Sequence, residues 1–82
     1  MIQLPKGISH TIFHNEHRCS CMSVEEYLQF VEADISDEDR AECIHTGEVW
    51  ELVWYPETPV GHYRVIGPTL EKVLVAANRA GG

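Results

Sequence analysis

The chain has 82 residues, an apolar fraction of 44% and a formal net charge of −7. That length supports a single domain, 1–82, near the lower end of what one hydrophobic core stabilises, and the apolar fraction excludes a disordered chain. The excess of 13 Asp and Glu over 6 Lys and Arg argues against direct nucleic-acid binding, which depends on neutralising phosphates with basic side chains.

Residues 8–14, ISHTIFH, are rich in β-branched and aromatic side chains and predict a short strand. In regular alternation Ile8 and Ile12 share a face with His10 and His14, and Phe13 points the other way. HNEHRCSC, 14–21, follows as a connector, and its cysteines fall on one side of an extended chain. Ser23 and Glu26 stand at capping-box spacing, with Met22 and Tyr27 placed as a hydrophobic staple. Val24, Tyr27, Leu28 and Val31 then repeat at i, i+3, i+4, i+7, with Phe30 beside them, which predicts a helix over about 24–33.

Ser36 opens a second helix whose first turn holds Asp37, Glu38 and Asp39, where carboxylates favour the positive end of the helix dipole. Ala41 and Ile44 supply a thin apolar stripe and Gly47 a C-terminal stop. EVWELVWY, 48–55, is the strongest strand signal. Trp50, Leu52 and Trp54 alternate onto one face, and Val49, Val53 and Tyr55 share the other with Glu51, so a central strand covered on both sides is expected. Pro56 and Pro59 end it, Gly61 releases the chain, and HYRVI, 62–66, predicts an antiparallel partner strand. Thr69 caps a last helix with Leu70, Val73, Leu74 and Ala77 as its core stripe, and Asn78 with RAGG stops it. The expected class is α+β, a small antiparallel sheet packed on helices in the order β-α-α-β-β-α.

The residues with chemistry are few. A structural zinc ion takes four ligands, often as two close pairs; here these are Cys19 with Cys21 and Cys43 with His45, His17 being a substitute. If Cys43 and His45 lie on one helix they point roughly 200° apart, so this zinc module stands as an alternative and not as the main reading. One residue between Cys19 and Cys21 makes a strained disulfide ring and departs from the Cys-x-x-Cys redox pattern, although Cys21 precedes a helix start. No Gly-rich phosphate loop, nucleophile elbow or paired-carboxylate motif is present, which argues against an enzyme and against a cofactor. Gly81-Gly82 raises a second alternative, a ubiquitin-like carrier; in those families the tail follows a strand, whereas here it follows a helical pattern.

The stretch VWELVWYPETPVGHYRVIGPTLEKVLVAANRA resembles the strand–turn–strand–helix unit of HicB-type antitoxins, in which a threonine-capped TLEEAL-like helix corresponds to residues 69–74. It covers under half of the chain and lacks the DNA-binding segment of those proteins. HNEHRC and EVWELVWYPETPVGHYRV also look like the small acidic proteins that bacteriophages and prophages carry in accessory regions, a resemblance that implies a modulator or inhibitor of a host protein.

No apolar run approaches the ~20 residues of a membrane span, and MIQLPKGISH lacks the layout of a signal peptide. Three cysteines, an odd number, fit a reducing compartment, so a cytoplasmic protein without membrane attachment is expected. The functional expectation is a non-enzymatic module that binds another protein, one with a basic surface or a second copy in a homodimer. Its expected contacts are the acidic Asp34, Asp37, Glu38, Asp39 and Glu42 and the aromatic Tyr55 and Tyr63.

Overall fold

A computed structural model describes residues 3–57 and 61–81. The element order is β1 (Ile8–His14), α1 (Glu16–Cys19), α2 (Val24–Phe30), α3 (Asp37–Thr46), β2 (Trp50–Tyr55), β3 (Tyr63–Gly67) and α4 (Leu70–Gly81). The strands form one antiparallel sheet in the order β1-β2-β3, so β2 is central. This is the expected α+β class. The additional element is the one-turn α1, and it replaces the extended connector read from HNEHRCSC.

The helix boundaries follow from local chemistry. Ser23 Oγ accepts from the Glu26 amide while Glu26 Oε1 accepts from the Ser23 amide, closing a full capping box at the start of α2. Ser36 Oγ accepts from the Asp39 amide at the start of α3, and Gly47 ends it in the left-handed conformation with φ 76°. Thr69 Oγ1 accepts from the Lys72 amide below α4. Asn78 does not stop α4, which continues to Gly81. Its amide instead donates back to the Leu74 carbonyl at 2.9 Å and across to the Gln3 carbonyl at 2.7 Å, tying the N-terminal segment to the helix.

Opposed residues of an antiparallel pair share a face. Ile12, Leu52 and Val65 are in register on one face, together with Trp54 and Tyr63. Against this face α4 lays Val73, Leu74 and Ala77, and Leu52 and Trp54 are completely buried there. The second core cluster joins Val24, Tyr27 and Leu28 of α2 to Cys43 of α3, Val49 and Ile66, at the end of the sheet where β2 begins and β3 finishes. Lys72 of α4 reaches Asp39 at 3.3 Å and Glu42 at 2.9 Å, which holds α3 at that same end.

Three expectations therefore change. The second face of β2 is covered only at one end, because α2 and α3 are short and gather around Val49 and Ile66: Val53 is half-buried and Tyr55 exposed. The inward side chain of α3 is Cys43, not the Ala41 and Ile44 stripe, both of which are exposed. In β1 the register shifts between Ile8 and Thr11 around Ser9, whose φ is 56°, so Ile8 pairs with Tyr55 and leaves the face of Ile12.

Candidate docking face

The sheet face opposite α4 carries Phe13, Glu51 and Ile66 at its covered end and Thr11, Val53 and Arg64 further along, with Ile8 beside Tyr55 at the far end. The ring of His62 lies 6.0 Å from that of Tyr55, on the same side. Ile8 is 59% exposed and Tyr55 48%. An antiparallel sheet with one solvated face ordinarily shows polar side chains there. This one shows Ile8, Val53 and Tyr55 among Thr11, Arg64 and His62.

At the boundary between the covered and open halves sits a buried polar group. Glu51 is 4% exposed; the Tyr27 hydroxyl donates to its Oε1, and the Arg64 Nε stands 3.6 Å from its Oε2. Burial, reinforced by the neighbouring Glu51 carboxylate, drives the Tyr27 hydroxyl pKa well above that of an ordinary tyrosine. Tyr27 therefore stays protonated as the donor. A buried carboxylate without such partners would cost several kcal/mol, on the order of the Born penalty left after relaxation. Phe30, one turn beyond Tyr27 on α2, is 69% exposed and extends the apolar surface of that helix.

The HNEHRC segment serves the fold. Asn15, in the left-handed conformation at φ 57°, donates to Glu48 Oε2 at 2.7 Å and accepts the Val49 amide on its Oδ1. His14 stacks on Trp50 with ring centroids 3.8 Å apart and contacts Glu48 Oε1 at 3.2 Å, and Arg18 stands 3.7 Å from Oε2. The Asn15 and His14 contacts together hold the Glu48 carboxyl below the usual carboxylate range. His17 is buried, its Nδ1 has no hydrogen-bond partner among the described residues, and burial, helped by the adjacent Arg18, lowers its pKa.

The residues expected to bind a partner do not form one surface. Asp34, Asp37 and Glu38 are exposed, but Asp39 and Glu42 are engaged with Lys72. Tyr55 and Tyr63 point to opposite faces of the sheet: Tyr63 packs 5.2 Å from Trp54 on the α4 side. The acidic cluster adjoins the end of β3 through Lys72, whereas both tyrosines lie at the hairpin end, about 13 Å away along the strand. Of the donors considered for zinc, Cys19, Cys21 and His45 are exposed and Cys43 is fully buried. Cys43 and His45 diverge because α3 runs on to Thr46, and among the described residues no three His, Cys, Asp or Glu side chains converge on one point. Burial pushes the Cys43 thiol up to about 11, which keeps it protonated. Gly81 belongs to α4, so the extended tail of a ubiquitin-like carrier is not formed up to that residue, and Pro59 and Gly82 lie outside the described residues.

The alternation along β2 puts Tyr55 with Glu51 and Val53 on one face, and only the strand register brings Ile8, Phe13 and Arg64 to join them. Among the described residues no helix is long and apolar enough to cross a membrane. No family model matches the chain, and no curated protein or solved structure shows significant similarity to it, so the two resemblances rest on the quoted stretches alone.

Proposed function

We propose that this chain is a non-enzymatic binding module that recognises another protein through the sheet face opposite α4. The observation that carries the reading is the uncovered half of that face, where Ile8 and Tyr55 are exposed beside half-buried Val53. Contiguous exposed apolar surface on a small soluble domain marks an interaction site. The alternative contact, the acidic α3, is weakened as a recognition surface because Lys72 already occupies Asp39 and Glu42; solubility accounts for the remaining charge. Free exposed thiols at Cys19 and Cys21 support a reducing, cytoplasmic setting.

The test compares two variants in affinity capture from the native host, each with its thermal midpoint measured. Ile8→Ser with Tyr55→Ser is expected to abolish capture of the partner while the midpoint stays close to that of the parent. Asp37→Lys with Glu38→Lys is expected to retain it. Loss of capture only in the second variant would move the function to α3.

A further inference from the structure

We infer that the occupant of this open face is an amphipathic helix of a partner protein whose apolar side carries a carboxylate, and that the carboxylate meets the guanidinium of Arg64. The inference rests on the binding reading above and adds the shape and charge of what binds.

Charge comes first. The chain holds 13 acidic residues, yet the strands Ile8–His14, Trp50–Tyr55 and Tyr63–Gly67 contain one, Glu51, and it is buried. The open face therefore presents no exposed carboxylate from its strands. Among the described residues of this open half, the exposed Arg64 and His62 stand among Ile8, Thr11, Val53 and Tyr55. Arg64 is well placed to recognise an anion. Its Nε leans on Glu51 at 3.6 Å, longer than a hydrogen bond, and among the described residues neither terminal nitrogen makes a hydrogen bond. Glu51 also holds the Tyr27 hydroxyl, which fixes the carboxylate behind the guanidinium. The fork that binds carboxylates in a two-point contact is thus positioned by Glu51, and among the described residues its terminal nitrogens have no hydrogen-bond partner.

Shape comes second. Three strands spaced by about 4.8 Å span about 10 Å between the outer two, close to the diameter of one helix. On the opposite face α4 packs across two of the three strands, β2 and β3. An extended segment would add at a strand edge, β1 or β3, rather than on this face, and the β1 edge is bent by the bulge at Ser9. A second copy of this chain, sheet against sheet, would set two Arg64-bearing faces together and bring two charges of −7 into contact.

The probes are stapled helical peptides of about 14 residues, since free helices of that length are marginal. Each has leucines at i, i+3, i+4 and i+7 and, bordering that stripe, glutamate, glutamine or lysine. Amide NMR of the full chain with each peptide is expected to shift the resonances of residues 11–13, 53–55 and 64. The glutamate peptide should bind about tenfold more tightly than the lysine one, the scale of a charge-assisted hydrogen bond. Arg64→Glu is expected to invert that order and Arg64→Gln, which adds no charge beside Glu51, to erase it. Equal affinity for all three peptides would overturn the carboxylate while leaving the docking face standing. Shifts confined to α3 or α4, or no binding, would overturn both. Dimerisation of the chain alone that protects residues 53–55 would make a second copy the occupant and overturn the partner helix.

Discussion

The two faces of β2 are built from neighbouring residues of one strand and meet opposite fates. Leu52 and Trp54 are buried under α4, which packs across β2 and β3, and Trp50 is half-buried beside them. Glu51, Val53 and Tyr55 run from a helix-covered end to open solvent, because the seven-residue α2 and the α3 that Lys72 holds in place cover only the region of Val49 and Ile66. Both sets look alike in composition. What separates them is how far the helices on each side reach, and that difference leaves an apolar half-face available for a partner.

Substitutions should divide along the same line. Leu52→Ala, on the sealed face, is expected to cost about 2–5 kcal/mol of unfolding free energy in urea titration. In a domain this small that threatens folding altogether. Val53→Thr or Tyr55→Ser, on the other face of the same strand, should cost about 1 kcal/mol or less. Comparable losses on both faces would mean that the second face is closed in solution.

Gly7 should rank next. Its φ is 150°, and a Cβ there would meet the Tyr55 carbonyl oxygen at 2.5 Å and Trp54 Cδ1 at 2.7 Å. Gly7→Ala is expected to destabilise by about 1–3 kcal/mol, read as a lowered thermal midpoint. Tyr27→Phe removes the hydroxyl that serves Glu51 at the boundary between the covered and open halves. A loss of about 1–3 kcal/mol is expected, and a fully neutral outcome would show the carboxylate finding water from the open side.

A smaller effect concerns pH. His17 is buried as the neutral ring, with Arg18, His14 and Glu48 as the charged or titratable groups around it and Tyr27 packed nearby. Its folded pKa lies below the unfolded value of 6.5, so above that value it contributes no pH dependence. As pH falls below 6.5 the unfolded chain takes up a proton that the folded chain refuses, and stability declines until the lowered pKa is passed. His17→Phe should flatten that decline below about pH 6.5, measured by urea midpoints. An unchanged slope would assign it to other groups.

Much of the fold could be read from the chain because its signals are local. The Ser23–Glu26 box, the Ser36 and Thr69 caps, the Gly47 stop and the stripe of Val73, Leu74 and Ala77 each lie within a few residues of their partners. The central position of β2 followed from its apolar character on both sides. What was hidden depended on distant partners. The turn at Glu16–Cys19 is held by Asn15 and Glu48, 33 residues apart. The Ser9 bulge appears only against β2, and Tyr27 finds Glu51 across 24 residues. The candidate face shared this difficulty. Tyr55 and Tyr63 look like a pair in the sequence, yet the register sends them to opposite sides.

The central claim is that the face bearing Tyr55 docks a partner and the outer side of α4 does not. Photo-crosslinking from inside the native host tests it most directly, with a benzophenone amino acid placed at position 55 or at Val75, which is equally exposed at 48% on α4. A discrete crosslinked species from position 55 and none from position 75 is the result expected. The same species from both positions, or from position 75 alone, would contradict it.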